Sequence, residues 1–183
     1  MEKDMKKLLV IVDVQNDFVD GALGTKEAQA IIPKVIDKIA EWDGDIICTL
    51  DTHKENYLET REGKMLPVPH CIEGTEGHRI NEDVYAALID KSCAKFSTLS
   101  TLCKYTFGST ALPEIIRGAD VDYVELVGLC TDICVVSNAM LLKANYPEME
   151  IAVDASCCAG VTPESHKAAL TTMKMCQINV IGE

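Results

Sequence analysis

Residues 124–136, VELVGLCTDICVV, constrain the chain more than any other stretch. An apolar run breaks at Gly128, and after Leu129, Cys130, Thr131 and Asp132 a new apolar pattern starts at Ile133. This reads as a strand, a tight turn and a helix. Thr131 or Asp132 can cap the helix by accepting a hydrogen bond from a first-turn N–H. Cys134 then sits where unpartnered N–H groups and the helix dipole favour negative charge. Two readings stay open. A thiolate favoured by that field would be a nucleophile, and the same N–H groups could receive the oxyanion of an attacked carbonyl. Alternatively, Cys134 is a buried filler of the strand–helix junction, since free cysteines are among the most buried residue types.

The rest of the chain repeats this alternation. Residues 8–14 form a β-type run ending at a carboxylate, Asp13, and residues 45–50 form another that ends at Asp51. Continuous apolar runs suit strands covered on both faces. Further strands are expected at 93–96, 123–127, 150–153 and 177–181. Helical spacing marks 27–42, 81–89, 111–117 and 132–144, and Thr162-Pro163 starts a helix running to about Met175. The pattern predicts a doubly wound α/β fold with a mainly parallel sheet and helices on both faces, as one domain over 1–183. In such sheets ligands bind beyond the carboxyl ends of the strands. Asp13, Asp51 and the Gly128 turn all sit there, which favours the nucleophile reading of Cys134.

A net charge of −12 argues against nucleic acid or an anionic membrane as partner, because both are polyanions. No apolar stretch approaches the ~18 residues needed to span a bilayer. The run at 8–12 is too short for the core of a signal peptide. Nine cysteines at irregular spacing, without a paired CxxC array, read as reduced thiols of a cytoplasmic protein.

Three constellations carry chemistry. Asp13 can act as a general base if burial raises its pKa, or can merely cap a turn, and Asp17 competes with it. Asp51-Thr52-His53, followed by Glu55, Glu59, Glu62 and His70, suits a divalent ion such as zinc, manganese or iron. Asp51 and His53 point the same way if the chain stays extended. The long polar loop at 52–79 is of a kind that is usually functional. Lys104 in KYTFGS, or Lys95 in CAKFS, could steady the charges of a thiolate and an acid.

Together these segments resemble the isochorismatase-like cysteine hydrolases, and among them the nicotinamidases. The resemblance runs through VDVQNDF (12–18), LDTH (50–53), LPVPHCIEGTEG (66–77), KYTFGS (104–109) and GLCTDICV (128–135), in the family's order. It implies a parallel six-stranded sheet and a triad of Asp13, Lys104 and Cys134. It implies an oxyanion hole from the backbone N–H groups of Cys130 and Cys134, with a cis peptide at Leu129–Cys130. The implied metal ligands are Asp51, His53 and His70, with Glu62 as best match for a fourth and Glu59 second. Zinc is the first choice of ion. Phe18, Leu66 and Tyr105 are the implied substrate contacts. The family often has an aromatic residue where Leu66 stands, and some members have an extra loop histidine that this chain lacks. The implied reaction is nicotinamide plus water to nicotinate plus ammonia, in NAD salvage. The expected partners are a small-molecule substrate and further copies of the chain, with no nucleic acid and no membrane. The rival readings are a hydrolase of another small amide or ureido compound, and a non-catalytic metal- or redox-responsive protein.

Overall fold

The computed structural model describes residues 5–95 and 99–183. Its strands are β1 (Lys7–Val12), β2 (Asp45–Asp51), β3 (Leu99–Lys104), β4 (Tyr123–Leu129), β5 (Glu150–Ala159) and β6 (Asn179–Ile181). They form a six-stranded sheet in the order β3-β2-β1-β4-β5-β6, with every neighbouring pair parallel. The winding direction reverses between β1 and β4, which opens a crevice beyond their carboxyl ends.

Strand side chains alternate between faces, so β1 feeds two cores. Leu9 and Ile11 face one; Leu8, Val10 and Val12 face the other. The first is closed by α2 (Lys26–Glu41), through Ile31, Val35 and Ile39, and by α4 (Glu82–Lys95), through Val84 and Leu88. The second is closed by α5 (Leu112–Ala119), α6 (Val136–Asn145) and α7 (Pro163–Met175), using Leu112, Ile116, Leu142 and Met173. Each large side chain so buried contributes about 1.5–3 kcal/mol by leaving water. Two short helices, α1 (Asn16–Val19) and α3 (Arg61–Met65), lie in the segments that follow β1 and β2. Thr162 caps α7, as its sequence predicts, and the Ser165 hydroxyl accepts from the Thr162 N–H in return.

Some boundaries differ from expectation. The strand expected at 93–96 is not one: Cys93 belongs to α4, and Phe96 lies outside the described residues. The strand of this region is β3, an edge strand whose residues are largely exposed before Lys104 and which therefore has no apolar run to announce it. β5 continues past Val153 to Ala159 through small and polar residues, with a register shift against β4 between Leu126 and Gly128. Among the described residues, no helix is long and apolar enough to cross a membrane.

Candidate active site

Four adjacent strands deliver their carboxyl ends to one place. Asp13 follows β1, Asp51 ends β2, Lys104 ends β3, and Cys130 to Cys134 follow β4. Asp13 has φ +49°, a left-handed conformation that aspartate tolerates better than most residues. Its carboxylate is fully buried. Thr49 Oγ1 donates to Asp13 Oδ1 at 2.6 Å. Asp13 Oδ2 faces the Lys104 ammonium at 2.6 Å as an ion pair, yet receives no aligned hydrogen bond. Lys104 Nζ also donates to Asp51 Oδ1 at 3.1 Å and to Cys134 Sγ at 3.4 Å. One buried ammonium therefore touches an acid, a thiol and a second acid.

The turn before Cys134 is built differently from a simple capped helix. It is a single π-turn, Thr131–Val135, closed by a hydrogen bond from Val135 N–H to Cys130 O of 3.0 Å. Neither expected cap serves. The Thr131 hydroxyl pairs with His166 Nδ1 at 2.8 Å, and the Asp132 carboxylate accepts from Val161 N–H. Both side chains tie the turn to neighbouring segments, and the cap position falls to Cys130. The Leu129–Cys130 peptide is cis. Gly128 has φ +116°, and a Cβ there would lie 2.2 Å from Val12 O, so only glycine lets β4 pass β1 at this point.

Protonation is set by burial more than by the helix start. Burial pushes the Cys134 thiol well above its ordinary pKa; Asp13 adds to the shift and Lys104 opposes it. The resting thiol is thus protonated, contrary to the thiolate expected from the turn alone. Burial also raises the Asp13 carboxyl, against the pull of Lys104. Burial pushes the neighbouring Cys130 thiol up to about 12. Lys104 is raised in turn: burial opposes its charge, but Asp13, Cys134 and Asp51 outweigh it. The geometry can therefore pass a proton from thiol to carboxylate beside a fixed cation.

A second cluster adjoins the first. Asp51, His53, Glu62 and His70 each bring one ligand atom to within 4.8 Å of the others. His53 Nε2 lies 3.0 Å from Asp51 Oδ2 and 3.5 Å from Glu62 Oε1. His70 Nε2 lies 3.5 Å from Asp51 Oδ2 and 3.9 Å from Glu62 Oε1. His70 Nδ1 is 2.8 Å from Val68 O, so a proton on Nδ1 leaves the Nε2 lone pair facing the cluster. Burial opposes ionisation of Asp51, but bonds to His53 and His70 and the charge of Lys104 hold its carboxyl far below the ordinary range. Two imidazole nitrogens and two carboxylate oxygens are a donor set that fits a divalent ion. Glu59, the alternative fourth ligand, is exposed and stands outside this set.

Both clusters open on one cavity of about 310 Å³. Asp51, Glu62, His70, Cys130 and Cys134 all line it, and Phe18, Leu66, Phe107, Leu129 and Ile133 give it apolar walls. Tyr105 does not line it. Side chains alternate at the end of β3, so with Lys104 turned inward Tyr105 turns out; it is 60% exposed, with Lys54 Nζ 6.0 Å from its ring centroid. Phe107, which sequence reasoning missed, takes the wall position. Lys95 closes α4, and its side chain lies outside the described residues. A larger cavity of about 800 Å³ lies elsewhere, along Asn16, Glu76, His78 and Tyr85, and reaches neither cluster.

Three supporting residues were also missed. Thr49 holds Asp13 as described. Asn138 takes the Cys134 carbonyl at 2.8 Å and the Ser109 N–H at 2.9 Å. Gln15 clamps the backbone of Asp51 from both sides. A buried polar residue in an otherwise apolar context was the only signal for each.

The model of the Isochorismatase domain matches residues 7–182. The chain belongs to the isochorismatase family. Within that family it is similar to curated nicotinamidases. It is 30% identical to an uncharacterised isochorismatase family protein, PncA, of Bacillus subtilis, covering 91% of this chain and 93% of that one. It is 27% identical to the nicotinamidase/pyrazinamidase of Mycobacterium tuberculosis, covering 96% and 98%. Among solved structures, the pyrazinamidase of Pyrococcus horikoshii in complex with zinc superposes with a TM-score of 0.75 at 29% identity, covering 97% and 99%.

Proposed function

We propose that this chain hydrolyses nicotinamide to nicotinate and ammonia. The observation that carries the reading is one cavity lined at once by Cys134 and by Asp51, Glu62 and His70, three of the four residues of the second cluster. A pyridine carboxamide has a matching pair of features, a ring nitrogen and an amide carbon. The names of relatives at 27% and 29% identity support the same substrate class.

In this mechanism Asp13 Oδ2, the acceptor without an aligned hydrogen bond, takes the thiol proton. The Cys134 sulfur attacks the amide carbon, and the resulting oxyanion is received by the N–H groups of Cys130 and Cys134. Lys104 stays charged throughout and balances whichever of Asp13 or Cys134 is negative. Asp13 returns the proton to the departing nitrogen, and ammonia leaves a thioester. Water then gives a proton to Asp13 and attacks the thioester, which releases nicotinate and restores the thiol. Asp51, His53, Glu62 and His70 would hold one divalent ion, zinc by the P. horikoshii likeness, which supplies a Lewis-acidic site for the pyridine nitrogen. Nine free thiols fit a reducing, cytoplasmic setting.

The test is ammonia release from nicotinamide, pyrazinamide, benzamide and ureido compounds by wild type, Cys134→Ala and His53→Ala. Nicotinamide and pyrazinamide should be turned over, benzamide very poorly, and Cys134→Ala should be inactive. His53→Ala should weaken nicotinamide binding strongly. Benzamide turnover close to that of nicotinamide, or a preference for ureido compounds, would overturn the reading.

A further inference from the structure

Residues 13, 15 and 17 alternate along the segment that leaves β1, and each reaches a different part of the site. Asp13 lies at the thiol, in contact with Lys104. Gln15 is 0% exposed. Its Oε1 accepts from Asp51 N–H at 2.7 Å, and its Nε2 donates to Asp51 O at 2.9 Å and to His78 O at 2.8 Å. The backbone pairing of β1 with β2 ends at Val12 and Thr49. Beyond that point the Gln15 amide gives Asp51 the donor and acceptor that a neighbouring strand would supply.

Asp17 does the corresponding work for the other ligand segment. Its Oδ2 accepts from Cys71 N–H at 2.7 Å, next to His70, where Cys71 has φ +46°. Its own N–H donates to Gly77 O at 3.1 Å. A Cβ on Gly77 would lie 2.1 Å from Asp17 Oδ2, so a side chain there would displace the Asp17 carboxylate. Neither Gln15 nor Asp17 lines the cavity.

We propose that Gln15 and Asp17 are positioning residues that set the spacing between the Cys134 thiol and the metal-ligating cluster. They do so by fixing Asp51 and the His70–Cys71 segment relative to Asp13. This rests on the function proposed above, in which one small molecule must reach both points; a misplacement of ~1 Å in such a geometry can cost on the order of 10²-fold in rate.

Three variants test it. Gln15→Glu keeps the side-chain size and the acceptor for Asp51 N–H, but sets an oxygen against two carbonyls. Asp17→Ala removes the acceptor for Cys71 N–H, and Asp17→Asn restores a carbonyl oxygen without the charge. The readouts are zinc affinity by competition with a chromophoric chelator, the kcat and KM for nicotinamide, the rate of Cys134 alkylation by iodoacetamide, and folded fraction by circular dichroism. Gln15→Glu and Asp17→Ala should weaken zinc binding by roughly tenfold to a hundredfold, the range for loss of an outer partner of a ligand. KM should rise more than kcat falls, and alkylation of Cys134 should change little. Asp17→Asn should recover most of the zinc affinity. Unchanged zinc affinity in folded Gln15→Glu and Asp17→Ala would overturn the proposal, as would an Asp17→Asn no better than Asp17→Ala. If Gln15→Glu does not fold, the two Asp17 variants decide. The zinc measurement needs no turnover, so failure of the nicotinamide reading leaves it decisive.

Discussion

Among the described residues, two ion clusters share one formula, a lysine between two carboxylates, and they are finished in opposite ways. In one, Lys38 Nζ lies 2.7 Å from Glu125 Oε1 and 2.8 Å from Asp154 Oδ2. The remaining oxygens are matched too: the Tyr123 hydroxyl donates to Glu125 Oε2, and Ser156 donates its N–H and hydroxyl to Asp154 Oδ1. In the other, Lys104 lies between Asp13 and Asp51, and Asp13 Oδ2 is left without an aligned hydrogen bond beside a thiol. A satisfied cluster ties α2 to β4 and β5 and has no chemistry to offer. An unsatisfied one keeps an acceptor ready for a proton. The clusters differ in completeness of hydrogen bonding and in burial: the Lys104 side chain is 1% exposed and the Lys38 side chain 22%.

The strongest way to break this comparison is to neutralise one acid in each cluster. Asp13→Asn should lower the rate of amide hydrolysis by on the order of 10⁴-fold, because residues that act as a unit fail together. Asp154→Asn should leave kcat nearly unchanged. Comparable rate losses in the two variants would mean that the open acceptor has no special role.

Removing the lysines sharpens the contrast. Lys104→Met strands two buried carboxylates, and such a loss costs about 3–5 kcal/mol. It should also raise the thiol pKa further, since Lys104 is the group opposing the rise, and iodoacetamide rates against pH would show it. Lys38→Met should cost less, about 1.5–3 kcal/mol in urea unfolding, because its side chain is 22% exposed and water can reach the acids left behind. Thiol reactivity should not move in that variant.

A smaller effect comes from acid. Burial would raise the Asp154 carboxyl, but Lys38 and Ser156 outweigh it and hold its pKa below the ordinary value. A carboxyl depressed in the folded state stabilises the fold above its unfolded pKa of roughly 3.9 and loses that contribution as pH falls through the folded value. Urea midpoints below pH 4 should therefore fall more steeply in wild type than in Asp154→Asn. Parallel curves would show that the cluster contributes nothing to acid stability. The smallest expected effects are at the cavity rim: Phe107→Ala should raise KM moderately, and Tyr105→Ala, whose side chain points away, should leave it almost unchanged.

What could be read from the chain follows the same division. A run buried on both faces, such as residues 8–12 of β1, is written as an unbroken apolar stretch, and α7 declares its start with Thr162-Pro163. Asp13, Asp51 and Cys134 stand out because they adjoin apolar runs; Lys104, at the end of the exposed strand β3, has none before it and was separated from Lys95 only by the family resemblance. β3 was misplaced because an edge strand needs no continuous apolar run. The second half of β5 was hidden because Asp154 is accommodated by Lys38, a partner more than a hundred residues away, and Ser156 in turn by Asp154. Thr49 and Gln15 were missed for a related reason: each acts on a residue 36 positions distant, and no local spacing records such a contact. The direction of the thiol pKa was misjudged because a helix start is visible locally, whereas burial is decided by the whole fold.

The π-turn at Thr131–Val135 implies a tolerance of an unusual kind. A π-turn holds one residue more than the α-helical spacing allows, and such turns recur at functional sites. Removing any one residue between Cys130 and Val136 would let the α-helix close normally, and would rotate what precedes by about 100° relative to α6. Cys130, or the Cys134 thiol itself when the loss falls at Val135, could then not keep its place at the cavity while Leu142 and Ala139 kept theirs in the core. Among natural variants of this chain, length between Gly128 and Asn138 should therefore be held more strictly than the identity of Ile133 or Val136.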